Sequence, residues 1–187
     1  MPIPRLKINS AALLVVDVQE RLLPTIIDRE RVVANCTVLV HMAEELRIPY
    51  VITEQYPKGL GRTDERITRA MADQSRRIEK TRFSALDEMV DSMLRGWERN
   101  NVILCGLEAH VCVMQTALDL QASGRQCYLC SDAVSAGQRD QIPHALERMR
   151  TAGVVITGVL SAMYELLGDS THGSFRKCLK LAKAIEQ

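Results

Sequence analysis

The chain has 187 residues, 47% of them apolar and 25% charged, with a formal net charge of +1. A chain of this size buries a core without metal or disulfide staples, and it reads as one domain spanning residues 1–187. The near-neutral balance, with no Lys/Arg-rich stripe interleaved with aromatics, argues against nucleic acid as a partner, and no apolar run approaches the length of a membrane span.

The N-terminal "MPIPRLKINS" lacks the apolar segment of a secretory signal. Two periodicities then alternate. "AALLVVDV" (11–18) is a nearly continuous, β-branched apolar run, the pattern of a strand covered on both faces. From Arg29 to Leu46 the positions Val32, Val33, Cys36, Leu39, Val40, Ala43 and Leu46 mark one helix face, with Pro49 just beyond its end. "YVIT" (50–53) is the second strand, and "EQYPKGLGRT" a loop broken by Pro and Gly. A short strand falls around 76–79 in "RRIEKTRFSA", followed by a helix from about Ala85 to Trp97, with Thr81 and Ser84 available to cap it. "NVILCG" (101–106) is another covered strand, and Val111 to Ala122 is helical up to a C-capping Gly124. "QCYLCSDAV" is a strand, "QIPHALERMRTAG" a helix, "VVITG" the last strand, and "SFRKCLKLAKAIE" an amphipathic helix.

Strand and helix alternating about six times predict a three-layer, doubly wound α/β fold: a six-stranded, mostly parallel sheet with helices on both faces. Such sheets bind ligands at the carboxyl ends of their strands, where the strand order reverses. Residues just after strands are therefore the ones to inspect.

Asp17 ends the first strand among apolar neighbours, where a carboxylate needs a partner or a cleft; a helix cap or a structural ion pair would also place it there. Lys80 follows the third strand; an isolated lysine is ordinarily a solvated surface charge, and its position is what singles it out. Cys112, in "GLEAHVCVMQTALDL", lies where a strand gives way to a helix. A thiol in a helix's first turn feels the positive end of the dipole, which lowers its pKa, and nearby backbone N–H groups can hold an oxyanion. The competing reading is a small buried apolar side chain, which suits Cys105. Acid, cation and thiol at three strand ends form a coherent set for nucleophilic catalysis, although their spacing alone assigns no roles.

With "LLVVDVQERLL", "EKTRFSAL", "GLEAHVCVMQTALDL" and "SDAVSAGQRDQIPHALERM" in that order, the chain resembles the isochorismatase-like cysteine hydrolases over nearly its whole length, and among them the isochorismatase-domain-containing proteins. The resemblance implies a catalytic triad of Asp17, Lys80 and Cys112. It also implies a non-proline cis peptide at Leu107–Glu108, which would aim the N–H groups of Glu108 and Cys112 at an oxyanion. Nicotinamidases of this superfamily hold a metal with an Asp and histidines in the loop after the second strand. Here that loop, "TEQYPKGLGRT", has no His, and His41, His110, His144 and His172 show no ligand spacing, so neither a metal nor another cofactor is expected. Isochorismatases proper lack the nucleophilic cysteine, so the family name does not state the activity.

Gln19, Tyr56 and Phe83, each near a strand end, are candidates to line the substrate pocket, although Phe83 could equally be core. "CYLC" (127–130) lies within a strand, where residues three apart face opposite sides, and reads as two buried thiols rather than a redox pair. His110 is expected to cap or support rather than pair with Cys112. The six scattered cysteines suit reduced thiols in the cytoplasm, an organellar address being left open. The expected activity is metal-independent hydrolysis of a small amide or related carbonyl compound through a thioester on Cys112, with Asp17 as general acid/base and Lys80 as electrostatic partner. The alternatives are a catalytically silent binding or scaffold protein that keeps the triad, and a thiol redox sensor. A small molecule is the expected ligand, and a homo-oligomer the expected assembly, with the C-terminal helix and "VLSAMYELLG" (159–168) as apolar interface candidates.

Overall fold

The computed structural model describes residues 3–185; Met1 and Pro2 of the N-terminal stretch and Glu186 of the expected last helix lie outside them. Its centre is β1 (Ala11–Val16), six residues all buried, as a continuous apolar strand must be when helices cover both faces. Around it lie β2 (Tyr50–Gln55), β3 (Arg77–Lys80), β4 (Asn101–Leu107), β5 (Gln126–Ser135) and β6 (Val155–Thr157), in the order β3-β2-β1-β4-β5-β6. All five pairings are parallel.

Side-chain alternation divides the interior in two. Leu13 and Val15 point into a core closed by α1 (Arg29–Glu45), α3 (Glu65–Ala70), α7 (Val159–Leu167) and α8 (Phe175–Ile185). Leu14 and Val16 point into the other, closed by α4 (Glu88–Gly96), α5 (Met114–Ala122) and α6 (Gln141–Thr151). The pleat separates the two thiols of "CYLC" as expected, with Cys127 in one core and Cys130 in the other. Among the described residues no helix is long and apolar enough to cross a membrane.

Four local expectations are corrected. The stretch after β2 is not plain loop: Pro57–Leu60 forms a short helix, α2, and α3 follows it. The helix expected from Ala85 starts at Glu88, because Asp87, rather than Thr81 or Ser84, accepts the N–H groups of Met89 and Val90. The α-helix expected from Val111 begins at Met114, because Ala109–Val113 forms a π-helical turn. The two apolar segments offered as oligomer interfaces are largely spent inside the molecule: α7 buries Val159, Ala162, Met163, Leu166 and Leu167, and α8 buries Cys178 and Ala182 against the same core.

Strand order reverses between β1 and β4, which opens a crevice past their carboxyl ends. Gly106 permits this close approach. It pairs with Val16, has φ +123°, and a β-carbon there would lie 2.1 Å from the Val16 carbonyl oxygen and 2.6 Å from its nitrogen. Backbone on both sides leaves nothing to move aside. Gly106→Ala is therefore expected to cost about 3 kcal/mol or more, read as a lower urea midpoint. Gly124→Ala, also at positive φ but facing open space, should cost only about 1 kcal/mol.

Candidate active site

Asp17 follows β1 directly, with its backbone in the left-handed region (φ +53°), which aspartate tolerates better than most residues. Its N–H still continues the ladder, donating to the Thr53 carbonyl (3.1 Å), while its side chain turns into the crevice. There Oδ1 accepts from the Thr53 hydroxyl (2.8 Å), and Oδ2 lies 2.6 Å from Lys80 Nζ, both side chains being 1% exposed. Lys80 is the last residue of β3, two strands away, and Gln55 at the end of β2 bridges the gap.

A lysine ammonium has three protons to give. Those of Lys80 go to Gln55 Oε1 (2.8 Å), the Arg82 carbonyl (3.1 Å) and the Phe83 carbonyl (3.0 Å). The contact with Asp17 Oδ2 is therefore one of charge, without the alignment of a hydrogen bond, and that buried oxygen accepts no hydrogen bond. Burying an ion pair is costly unless its other hydrogen-bonding positions are satisfied. Here the ammonium is saturated, and one carboxylate oxygen, Oδ2, is left without a hydrogen bond.

Cys112 lies in the π-helical turn that leads from β4 into α5. Such turns recur at functional sites, because an extra residue in the helical circuit redirects side chains. The turn starts from Glu108 (φ −6°, ψ 105°), whose carbonyl accepts from the N–H groups of Val111 (3.0 Å) and Val113 (3.2 Å). The expected cis peptide at Leu107–Glu108 is absent, all peptide bonds among the described residues being trans; the dihedral angles of Glu108 and the π turn redirect the chain instead. The Glu108 carboxylate accepts from Gly137 N–H (3.2 and 3.3 Å) and lies 3.5 Å from His110 Nδ1, a buried nitrogen that makes no hydrogen bond. Thr116, one helical turn past the thiol, accepts from Ala85 N–H (2.8 Å) and donates to the Cys112 carbonyl (2.6 Å), tying the segment after Lys80 to the helix that carries the cysteine.

The thiol interacts with both Asp17 and Lys80, so the structure brings the three side chains together. Its acidity, however, runs opposite to the expectation from the helix dipole. Burial pushes the Cys112 thiol up, the adjacent Asp17 carboxylate pushes it further, and the Lys80 ammonium recovers only part, leaving it at about 12. Cys112 therefore rests as a neutral thiol beside a carboxylate with a free lone pair.

Of the three pocket candidates, Tyr56 lines a cavity. It forms part of the wall of a space of about 380 Å³ that reaches Lys80. Gln19 is wholly buried and acts as a strut: its amide donates to the carbonyls of Gln55 (3.0 Å) and Gly61 (2.7 Å) and accepts from Gln55 N–H (2.7 Å). Phe83 is exposed rather than core, and its carbonyl, not its ring, serves the centre by accepting from Lys80.

Residues 11–159, which contain the crevice and all three of these side chains, match the isochorismatase domain model. The chain belongs to the isochorismatase family. It is 37% identical over 180 residues to isochorismatase domain-containing protein 2 of Danio rerio, covering 96% of this chain and 90% of that one. A structure titled MAR1 ribonuclease from Caenorhabditis elegans superposes with a TM-score of 0.92 at 34% identity, covering 95% and 92%. The YcaC gene product of Escherichia coli, titled an octameric hydrolase of unknown specificity, shares the fold at 23% identity with a TM-score of 0.89, covering 98% and 92%. The protein is thus an isochorismatase-family hydrolase.

Within this family, the stretch after β2 is where nicotinamidases were noted above to hold a metal. The only carboxylate of residues 53–63, Glu54 near the end of β2, is buried and engaged by the N–H (2.8 Å) and hydroxyl (2.7 Å) of Thr63 and by Arg62 (3.1 Å). That donor set does not fit a metal. Sequence reasoning missed Gln55, Thr53 and Thr116. Gln55 carried a usable signal, since like Asp17 it stands at a strand's carboxyl end. Thr53 and Thr116 carried none, because the contacts that tie them into the site, to Asp17 and to Ala85, cross 36 and 31 residues.

The raised thiol makes a signed prediction. With its folded value at about 12 against an ordinary 9.0, Cys112 contributes stability that is present below about pH 9 and is lost as pH rises toward 12. Alkylation of Cys112 by iodoacetamide should climb about tenfold per pH unit from about pH 7 to 10 without a plateau. Asp17→Asn removes the charge that raises the thiol and keeps the one that lowers it, so alkylation near pH 8 should quicken by about tenfold or more. A slower or unchanged rate in that variant would contradict the assigned cause.

Proposed function

We propose that this isochorismatase-family hydrolase cleaves the C–N bond of a small amide or related carbonyl compound through a thioester on Cys112, with no metal or other cofactor. The observation that carries this reading is the unspent Asp17 Oδ2 lone pair, held 2.6 Å from an ammonium whose three protons are committed elsewhere. It lies beside a thiol too weakly acidic to ionise without a base.

Asp17 removes the Sγ proton as sulfur attacks the carbonyl carbon, and Lys80 stabilises the negative charge in transit. The carbonyl oxygen becomes an oxyanion, received by backbone N–H groups at the positive start of the helical turn, that of Cys112 among them. Collapse of the tetrahedral adduct expels the amine, which takes the proton from the Asp17 carboxyl group. Water, deprotonated in turn by Asp17, attacks the thioester, the acid leaves, and the thiol recovers its proton. Forming the nucleophile only when substrate arrives suits a resting thiol with a high pKa. For the same reason, slow alkylation does not separate an enzyme from a silent scaffold, whereas an acyl-enzyme does.

The name of the Caenorhabditis elegans structure favours a second reading, cleavage of RNA. The net charge of +1 weighs against it. A labelled RNA oligonucleotide left intact by this protein would dispose of that reading. The octamer named for the Escherichia coli protein supports assembly of this chain as a homo-oligomer, which light scattering would measure. Six free, buried cysteines support a reducing, cytoplasmic setting.

A screen of small amides, carbamoyl compounds and N-acyl amino acids by intact mass spectrometry should reveal an acyl adduct on Cys112. With any substrate so found, Cys112→Ala, Cys112→Ser and Asp17→Asn should each lose about 10³-fold or more in turnover, while Cys112→Ala melts within a few degrees of the parent. Full activity in Cys112→Ala would refute the mechanism.

A further inference from the structure

With the apolar faces of α7 and α8 turned to the core, a surface for self-association has to lie elsewhere. Met89 on α4 is 58% exposed, second only to Ile3 among large apolar side chains of the described residues. The inner side of α4 buries Val90 and Leu94 against the core, with Met93 and Trp97 half-buried beside them. Met89, Ser92, Met93 and Gly96 recur every three or four residues and form an uncharged stripe on its outer side.

Gly96 is not accounted for within one chain. Its φ is not positive, the left-handed turn that ends the helix falling instead on Glu98 (φ +55°), and a β-carbon at Gly96 would meet nothing within 4 Å. Glycine weakens a helix relative to alanine and is useful where another group must approach the backbone closely. Charge along α4 is ordered as well, with Glu88 in the first turn and Arg95 in the last, both exposed. Glu88 forms no ion pair among the described residues. Arg95 meets Asp91 alone, and Asp91 is already held by Arg125 (2.7 Å).

Antiparallel pairing of α4 with α4 of a second copy, about a twofold axis between Ser92 and Met93, uses all of these features. Met89 of one copy sets into the gap over Gly96 of the other, Ser92 lies against Met93, and Glu88 comes to Arg95. Each contact is then made twice, as an isologous interface requires. Parallel pairing would set Glu88 beside Glu88.

We propose that α4 is the twofold interface through which this chain pairs with a second copy of itself. The proposal deepens the homo-oligomer reading and rests on it. One helix of nine residues is too small a contact by itself, since a stable interface takes about 800 Å² from each partner. The hollow alongside α4, lined by Arg82, Asp87, Glu88, Met89, Ser92 and Met93, carries the surface on to Phe83, which adjoins Arg82 and is 56% exposed. The carbonyls of Arg82 and Phe83 hold Lys80 Nζ, so pairing buttresses the segment that positions the ammonium.

Sedimentation equilibrium of the full chain over about 1 to 100 μM reads the assembly directly. Gly96→Leu, which fills the gap, and Met89→Asp should each reduce the mass of the parent assembly to half or less. Glu88→Arg and Arg95→Glu should each weaken pairing by about tenfold or more, and the double exchange should recover the parent's affinity to within about threefold, a rescue that damage to the fold does not give. Ser92→Cys should be joined into a covalent dimer by a bis-maleimide spanning about 8 Å, the separation of closely packed helices. The parent, whose six cysteines are buried, and Arg148→Cys, at an exposed position on α6, should not. A parent that stays monomeric over the whole range would overturn both this proposal and the homo-oligomer reading. An oligomer that keeps its mass in Gly96→Leu and Met89→Asp, a double exchange without recovery, or Ser92→Cys left uncrosslinked would overturn the interface and leave the homo-oligomer reading standing.

Discussion

The contact between Asp17 and Lys80 is the constraint around which the rest of the site is arranged. Two charges taken this far out of water are stable together only if the positions they do not use on each other are satisfied. Three strand ends cooperate to do so: β1 supplies the carboxylate, β3 the ammonium, and β2 supplies Thr53 for the one and Gln55 for the other. A fourth, β4, approaches β1 closely because Gly106 has no side chain, and the π turn beyond it carries Cys112. Removing either partner of the pair would leave the other buried and uncompensated.

The arrangement also explains why a thiol at a helical start is not acidic here. A helix terminus contributes about half an elementary charge and acts over one turn. Cys112 is instead buried with a full carboxylate beside it, and the lysine that could compensate is itself held by that carboxylate. Burial and the nearby anion therefore outweigh the dipole. A resting neutral thiol is poorly reactive toward adventitious electrophiles, and the carboxylate that serves as its base in the proposed mechanism stands beside it.

The thiol and the cavity occupy neighbouring but separate parts of the molecule. Asp17 and Cys112 sit at the strand-order reversal between β1 and β4, while the cavity lies at the carboxyl ends of β2 and β3, and Lys80 touches both. The carbonyls of Arg82 and Phe83 that hold the lysine belong to the segment that forms the cavity's rim, so placing the ammonium also places Arg82.

The strand-and-helix alternation was legible in the sequence because a sheet covered on both faces imposes continuous apolar strands and striped helices at fixed periods. Asp17, Lys80 and Cys112 were legible for a related reason: in such a sheet the strand ends are the positions where polar side chains can meet a ligand. Partner choice was not legible. Gln19 stands near a strand end as Asp17 does, yet the fold turns its amide into the backbone of β2, and the apolar face of α7 went to the core rather than to a second subunit. Neither the trans peptide at Glu108 nor the rise in the Cys112 pKa has a local signature, because each depends on atoms brought together from distant segments. Pattern along the chain determined which residues reach the crevice; only three-dimensional packing decided which of their hydrogen-bonding positions remained free, since burial and charge act through space and not through sequence distance.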